Sequence, residues 1–206
     1  MKNILIIGAG GHSRVVISIL QEMGNLNVVG VFDPRFSGEE ENILGCSVLG
    51  HPSAISNYPP SDHSIVLAIG SNSIRRELSQ AFNDYDFPNI IHPLAYISPS
   101  ANLGNGNFIA PFAHIGPKVS IGSHNILNTS SNVEHESVIG DFCQLGPGSV
   151  ICGRCCLHNG IFIGANATVI ENLSLATSVT IGAGSVIIRS VNSPSSVVVG
   201  VPGHPL

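Results

Sequence analysis

The sequence contains a strict six-residue repeat. From Ile97 to Ile187 every sixth residue is Ile, Leu or Val, with no polar residue in the series and no break in the spacing. Neither a helix, with a period of about 3.6 residues, nor an ordinary strand, with a period of about 2, produces this spacing. A six-residue repeat is typical of a parallel β-helix, in which each unit forms one flat side of a coil and three units close a triangular turn.

The residues that flank each aliphatic residue follow the same period. The residue after it is often glycine, and we expect this glycine to turn the corner of the coil. The residue two positions before it is often small, as at Ala113, Ser137 and Ala167, and we expect it to share the narrow interior. The sequence therefore predicts a left-handed parallel β-helix of about five coils, with about eighteen residues in each coil.

The N-terminal part has a different pattern, typical of an α/β unit. Residues 3–7 form a predicted buried strand, a glycine-rich turn follows, and residues 14–23 form a predicted helix. Further strands are predicted over 28–32 and 64–69, and a helix over 73–82 with Arg75 on its solvent side. We predict a small Rossmann-like domain over residues 1–92 and a β-helix with a C-terminal cap over 93–206.

Composition excludes several classes of protein. Mean hydropathy is +0.34, but no run of about 18 apolar residues exists, so membrane insertion is not expected. The start of the chain lacks the long apolar core of a signal peptide, and we predict a cytoplasmic protein. The net charge of −5 comes without a basic stripe, which argues against nucleic acid as a partner.

Cysteine and histidine spacing does not indicate a metal site. The five cysteines are an odd number, and the pair Cys152 and Cys155 has no second pair at ligand spacing. The solenoid histidines His114, His124, His135 and His158 are separated by gaps of ten, eleven and 23 residues. We therefore expect no metal, and the spacing argues against a metal-dependent lyase.

The turn from Gly8 to Ser13 is a candidate nucleotide site. Glycines there let backbone N–H groups approach a phosphate at a helix N-terminus, and Asp33 after the second strand could bond a ribose. His12 could meet a phosphate or a sugar, although a surface histidine at a helix start is the common alternative. Ser13 replaces the third glycine of the G-x-G-x-x-G motif, so a plain β–α turn is also possible.

The segment around Val133 is the main candidate for catalysis. Val133 points inward by its phase in the repeat, so His135 lies at an outward or corner position. The adjacent Glu136 could hold the imidazole and raise its basicity, which would make a general base. A surface histidine beside solvated glutamates is the alternative.

Together these segments resemble a known family. The matching motifs are Ile7-Gly8-Ala9-Gly10-Gly11-His12, Ala68-Ile69-Gly70-Ser71-Asn72, Asn128-Thr129, Val133-Glu134-His135-Glu136, Ile139-Gly140-Asp141-Phe142 and Val199-Gly200-Val201-Pro202. The chain resembles the bacterial sugar O- and N-acyltransferases that join a small Rossmann-like domain to a left-handed β-helix. This group includes acetyltransferases of UDP-4-amino sugars, GDP-perosamine N-acetyltransferases and sialic acid O-acetyltransferases.

The resemblance implies acetyl-CoA-dependent transfer at the interface of a homotrimer, with His135 as the base and Glu136 as its tuning partner. It also implies a nucleotide-sugar site at Gly10, Gly11, His12, Asp33 and Gly70. The groove for acetyl-CoA would be lined by main-chain positions at Ala165 and Ala183.

The chain departs from the family pattern at two positions. Gln144 stands where the family often has a second histidine, and we keep it as a weak binding candidate because glutamine cannot titrate. The lysine often found after the last Val-Pro is also absent, which puts a terminal contact to the carrier in doubt.

We therefore predict acetyl transfer to the amine of a nucleotide-linked amino sugar in bacterial glycan biosynthesis. O-acetylation of a sialic acid-type sugar is one alternative. Another is a catalytically silent nucleotide-sugar-binding subunit. The presence of Gln144 favours this alternative, and the intact His135–Glu136 pair argues against it.

Overall fold

A computed structural model of the chain describes residues 2–38 and 41–206. The chain divides into two compact units, the first ending at Ile90 and the second beginning at Ile91. Within the described ranges, no helix combines the length and the apolar character that crossing a lipid bilayer requires.

The elements of the N-terminal unit are β1 Lys2–Ile7, α1 Gly11–Met23, β2 Leu26–Phe32, β3 Asn42–Ile43, β4 Cys46–Gly50, a 3₁₀ helix Pro52–Asn57, β5 His63–Leu67 and α2 Asn72–Ala81. The strands form a five-stranded sheet with the order β3-β4-β2-β1-β5. Among the described residues, only the β3–β4 pair of this sheet is antiparallel. The predicted strands and helices are present, but α1 begins three residues before the predicted start, and β3 and β4 were not predicted.

One expectation for this unit is wrong. Arg75, predicted to lie on the solvent side of α2, is 1% exposed. Its Nη1 donates to the Ile69 carbonyl at 3.0 Å, and its Nη2 donates to Asn72 Oδ1 at 2.8 Å. The guanidinium is buried because it binds the polar groups of the segment between β5 and α2.

The second unit is a parallel β-helix of three sheets, in agreement with the predicted left-handed fold class. The first face contains β7 Tyr96–Ile97, β10 His114–Ile115, β13 Asn132–Val133, β16 Val150–Ile151, β19 Thr168–Val169 and β22 Val186–Ile187. The second face contains β8 Asn102–Leu103, β11 Ser120–Ile121, β14 Val138–Ile139, β17 Cys156–Leu157 and β20 Ser174–Leu175. The third face contains β6 Ile90–Ile91, β9 Phe108–Ile109, β12 Ile126–Leu127, β15 Gln144–Leu145, β18 Phe162–Ile163, β21 Thr180–Ile181, β23 Val197–Val199 and β24 His204–Pro205.

The aliphatic residues of the repeat form the core of this unit, as predicted. Each one ends a two-residue strand, and those from Ile97 to Val169 pair with the residue eighteen positions further along, as Val133 pairs with Ile151. All are buried from Ile109 to Ile187, while Ile97 and Leu103 in the first coil are half-buried. Strand β23 extends the third face beyond β21, and β24 pairs antiparallel with β23.

The corners of the coils are not where we expected them. Every sixth residue from Gly106 to Gly184 has a positive φ, and this residue lies three positions after the aliphatic one. Most of these corner residues are not glycine; Phe112 and Lys118 are examples. The left-handed backbone is therefore set by the coil rather than by residue type, since non-glycine residues adopt it only rarely elsewhere.

The glycine directly after the aliphatic residue has a different role. A Cβ atom on Gly146 would lie 2.8 Å from the backbone nitrogen of Ala165 in the next coil. Gly104 and Gly140 meet the next coil at 2.9 to 3.0 Å in the same way. These positions need glycine because two coils approach each other there at backbone distance.

Polar residues inside the coil satisfy backbone groups. Asn107, which is 1% exposed, donates through Nδ2 to the carbonyls of Gly104 and Gly122 at 3.0 and 2.9 Å. Its Oδ1 accepts from the backbone N–H of Asn125 at 2.9 Å. Three coils on, the same inward position is occupied by Ile161, so the coil accepts an aliphatic side chain there.

We expect Asn107→Leu to destabilise the β-helix by about 1–3 kcal/mol, because it leaves a buried N–H and two carbonyls without their partner at nearly constant volume. Ser149→Ala is the matched control at an inward position, since the buried Ser149 hydroxyl has no hydrogen-bond partner among the described residues. Thermal and urea unfolding measure both. Equal stability of the two variants would contradict the assignment of a structural role to the Asn107 amide.

Candidate active site

The His135–Glu136 pair lies on the edge between the first and second faces. Strand β13 ends at the inward Val133, so the chain leaves the core and reaches the edge within two residues. Glu136 is the left-handed corner residue of this coil, with a φ of 62°. The side chains of His135 and Glu136 are 47% and 40% exposed, which confirms the outward position predicted for His135.

The two side chains are joined by a hydrogen bond in which His135 is the donor. His135 Nδ1 lies 3.2 Å from Glu136 Oε2. The hydrogen bond from His135, and then the positive charge of Arg154, lower the pKa of Glu136, so the carboxylate is ionised at neutral pH. An ionised carboxylate only accepts, so Nδ1 carries the proton and Nε2 of a neutral imidazole keeps its lone pair.

The next coil contacts this pair directly. Arg154 Nε donates to Glu136 Oε2 at 2.9 Å, and the Arg154 backbone N–H donates to the His135 carbonyl at 3.0 Å. A Cβ atom on Gly153 would lie 2.6 Å from Cε1 and 2.7 Å from Nε2 of His135. The imidazole therefore packs on the Cα of Gly153, where any side chain would displace it.

The glycine-rich turn of the N-terminal unit contains glycines of two kinds. Gly8 has a φ of 117°, and a Cβ atom there would lie 2.6 Å from the Ala68 carbonyl oxygen, so the fold itself requires this glycine. Among the described residues, Gly11 and Gly70 have nothing within 4 Å of a built Cβ, and Gly10 has only the Arg35 guanidinium, at 3.9 Å. Packing by the described part of the chain does not explain these three glycines.

Asp33 follows β2, as predicted, and is only 5% exposed. Its Oδ2 accepts from the Ala9 backbone N–H at 2.6 Å, and its Oδ1 accepts from the N–H and the Nε of Arg35 at 2.8 and 3.2 Å. Burial would raise the pKa of Asp33, but the hydrogen bonds from Arg35 and Ala9 lower it further than burial raises it. A cavity of about 260 Å³ is lined by Asp33, Ala9, Arg35, Phe36 and Glu41.

His12 lies in the first turn of α1 and is neutral. Burial, and then the positive charge of Arg75, lower the pKa of His12 to about 4. The imidazole can therefore act near this turn as a hydrogen-bonding group but not as a cation at neutral pH.

The remaining predicted residues lie on another part of the β-helix. Gln144 is half-buried on the third face, in β15. Ala165 and Ala183 follow β18 and β21 of the same face, on the edge between the third and first faces. One chain thus places His135 on one edge of the β-helix and both alanines on a different edge.

Two further observations concern metals and thiols. Over residues 2–38 and 41–206, no three His, Cys, Asp or Glu residues come close enough together to hold a metal ion. All five cysteines are free thiols. Burial, and then the charges of Glu171 and Glu134, raise the pKa of Cys152, which therefore stays protonated at neutral pH.

Sequence reasoning missed three residues in these two sites: Gly153, Arg154 and Arg35. Gly153 and Arg154 lie eighteen positions after His135 and Glu136, so aligning the sequence on the coil length would have placed them beside the pair. Arg35 lies two residues after Asp33, but the sequence does not indicate that its guanidinium turns back onto the carboxylate.

Comparisons with known proteins agree with this architecture. Residues 3–82 match the family described as PglD N-terminal domain. A UDP-N-acetylbacillosamine N-acetyltransferase from Bacillus subtilis is 32% identical over 110 residues, which are 52% of this chain. The matched part is only 50% of that relative's own length.

Solved structures that are similar over the whole chain include two acetyltransferases. A mutant GDP-perosamine N-acetyltransferase from Caulobacter crescentus, in complex with CoA and GDP-perosamine, is 31% identical with a TM-score of 0.93, covering 100% of this chain and 97% of that one. The acetyltransferase domain of PglB from Neisseria gonorrhoeae, in complex with acetyl coenzyme A, is 27% identical with a TM-score of 0.90, covering 100% and 99%.

The hydrogen bonds of Asp33 predict a pH-dependent stability. Because its pKa in the folded state lies below the unfolded value of about 3.9, the ionised carboxylate stabilises the fold above that pH. This contribution disappears as the pH falls through the folded-state pKa. We expect Asp33→Asn to lower the melting temperature at pH 7, and the difference from the parent to shrink below pH ~4.

Thermal unfolding between pH 7 and pH 3 measures this difference. Asp62→Asn, at an exposed aspartate, is the control and should melt like the parent throughout. A melting temperature of Asp33→Asn equal to that of the parent at pH 7 would contradict the stabilising role of this carboxylate.

Proposed function

The chain belongs to the sugar N-acyltransferase family, and from this premise we propose that it transfers an acetyl group from acetyl-CoA to the amine of a nucleotide-linked amino sugar. The observation that carries the proposal is the exposed His135–Glu136 pair. The Nδ1 of His135 is hydrogen-bonded to the Glu136 carboxylate, so Nε2 is the nitrogen available to accept a proton.

The proposed reaction is a direct transfer. The amine nitrogen of the sugar attacks the thioester carbonyl carbon, and His135 Nε2 takes the proton that the amine loses. The tetrahedral intermediate collapses, the C–S bond breaks, and the thiolate of CoA receives the proton from the imidazolium. Glu136 stabilises the imidazolium between these two proton transfers. No acyl-enzyme forms, and the raised pKa of the nearby Cys152 agrees with this, because a protonated thiol is a poor nucleophile.

Gly153 is our candidate donor to the oxyanion. At equivalent positions in other coils, Pro111 and Pro147 have no N–H, whereas Ser123 and Asp141 donate their N–H to a side chain of the next coil. Among the described residues, the N–H of Gly153 has no protein acceptor. A free N–H beside the imidazole is suited to stabilise the negative oxygen of the intermediate.

The N-terminal unit is our proposed site for the nucleotide-sugar. The open space at Gly10, Gly11 and Gly70 allows a ligand to approach the backbone closely. Helix α1 starts at this turn with no side chain capping its N-terminus and no acidic residue in its first turn. This environment favours an anionic diphosphate, with neutral His12 as a hydrogen-bonding contact. Because the protein's own donors occupy Asp33, we propose that it supports the turn as well as contacting the nucleotide.

We propose that the complete site forms between subunits of a homotrimer. His135 and the positions proposed for acetyl-CoA, Ala165 and Ala183, lie on different edges of one β-helix. Packing two such prisms side by side would bring unlike edges together in one groove, with Gln144 as a further contact to the acyl carrier. A cytoplasmic location stays a prediction.

A panel of nucleotide-linked amino sugars, incubated with acetyl-CoA while free thiol is followed, tests the function. Thiol release with one amino sugar and formation of an amide product support N-acetylation, whereas an ester product would indicate O-acetylation. Tight binding of a nucleotide-sugar without any thiol release would favour the silent binding subunit, which the replacement at Gln144 makes worth testing.

With the sugar identified, His135→Ala should lower kcat by about 10²–10⁴-fold, the usual contribution of general-base catalysis. Glu136→Gln should cost less, because the carboxylate orients and tunes the base but does not itself exchange the proton. Both variants should melt like the parent, since neither side chain contributes to the core. Nearly full kcat in a folded His135→Ala variant would assign the base to another residue.

Gly153→Ala should lower kcat by about 10–100-fold through displacement of the imidazole, because small misplacements of reacting groups cost this much. The backbone accepts alanine at this coil position, as Ala165 and Ala183 demonstrate. In a His135→Ala background the same change should have no further effect on the residual rate. An equal loss in both backgrounds would mean that the methyl group acts elsewhere.

A further inference from the structure

Arg154 belongs to the same corner column as Glu136, one coil further along. The two residues are eighteen positions apart and both adopt the left-handed corner conformation, with φ values of 62° and 58°. The guanidinium reaches back so that its Nε donates to Glu136 Oε2 at 2.9 Å. The same oxygen accepts from His135 Nδ1 at 3.2 Å. The carboxylate is therefore held from two sides on one oxygen atom.

The contact is not explained by folding stability. The side chain of Arg154 is 62% exposed and that of Glu136 is 40% exposed, and ion pairs this exposed add little to the stability of a fold. The backbone of Arg154 already binds the preceding coil through its N–H and the His135 carbonyl. The side-chain contact therefore acts on the carboxylate that orients the imidazole.

Among the described residues, the other charged side chains near the pair do not hydrogen-bond the Glu136 carboxylate. Glu134 precedes His135 and accepts from Asn132 Nδ2 at 2.9 Å. Lys118 occupies the same corner column one coil before Glu136, and Glu171 lies two coils after His135. Within the described part of the chain, the side chains that hydrogen-bond the Glu136 carboxylate are those of His135 and Arg154.

The physical effect of the arginine has two parts. It restrains Oε2 where Nδ1–H can bond to it, which fixes the tautomer with a proton-accepting Nε2. Its permanent positive charge also offsets part of the carboxylate charge, so that the carboxylate favours the imidazolium less strongly. A base needs a free lone pair on the nitrogen that takes the proton, and the tautomer that the arginine helps to fix has this lone pair on Nε2.

We propose that Arg154 is a positioning residue for the His135–Glu136 pair, holding the carboxylate against Nδ1 and keeping Nε2 available as the neutral, proton-accepting nitrogen. This role rests on the proposed function, because it concerns the residue that acts as its base.

The test compares three variants of the full chain over a range of pH. Arg154→Gln removes the charge, Arg154→Lys keeps it, and Lys118→Gln removes a charge from the same column without touching the carboxylate. The measurement is kcat/KM for the amino-sugar substrate against pH, with KM for each substrate at pH 7 and the melting temperature.

The acid limb of the profile is the range in which kcat/KM falls because the base becomes protonated. In Arg154→Gln we expect this limb to move to higher pH by about half a unit, the shift that a screened charge a few ångströms away produces. The direction follows because loss of a positive charge stabilises the imidazolium and so raises the pKa of the base. We expect kcat about tenfold lower, with both KM values within about twofold of the parent. Arg154→Lys should restore the limb and part of kcat, and Lys118→Gln should leave the limb in place.

An unmoved limb in Arg154→Gln would overturn the proposal. A rise confined to KM for acetyl-CoA would instead make Arg154 a contact to the donor. If the parent releases no thiol with any sugar, the proposed function fails, and NMR titration of the His135 ring then tests the positioning role alone. A His135 pKa that is higher in Arg154→Gln than in the parent supports the role, and an equal pKa overturns it.

Discussion

The backbone hydrogen bonds between successive coils are the constraint on which the β-helix depends. Each coil donates to the one eighteen residues further on, as Gly116 N does to the Val133 carbonyl at 2.8 Å and Glu134 N does to the Ile151 carbonyl at 2.8 Å. These bonds hold neighbouring coils at the strand spacing of about 4.8 Å, so residues eighteen apart, such as Val133 and Ile151, lie beside each other up to the pair of Val169 and Ile187. The aliphatic rows, the glycine columns and the contact between His135 and Gly153 all follow from this register.

The same register explains why much of this fold can be predicted from sequence. Two-residue strands such as Asn132–Val133 are too short for strand propensity to indicate them, but their inward residues recur at a fixed period, and the period identifies the architecture. The corners cannot be identified in this way. Phe112, Lys118 and Arg154 share a left-handed conformation but no chemical property, because the closure of the coil imposes the conformation on whichever residue stands there.

In the N-terminal unit, prediction found β1, β2, β5 and both helices, missed β3 and β4, and failed for the side chain of Arg75. Strand β1 and helix α2 follow from local patterns, but the burial of Arg75 depends on carbonyls at Ile69 and Gly70 that no helical periodicity indicates. Asp33 was placed correctly after β2, yet its partner Ala9 lies 24 residues away. A charged residue is buried or exposed according to such partners, so its fate cannot be determined from the local sequence.

The candidate base, His135, also depends on partners that its neighbours in the sequence do not indicate. His135 and Glu136 could be identified from sequence because they are adjacent, whereas the residues that hold them come from the next coil. In a globular enzyme, such supporting residues lie at unrelated positions, but here the register fixes them at 153 and 154. A column of this kind places the candidate base beside the residues that contact it, and we expect a substitution one coil away to act on His135 without altering the core. The geometry of the base thus depends on positions that a search limited to the His-Glu motif would not examine.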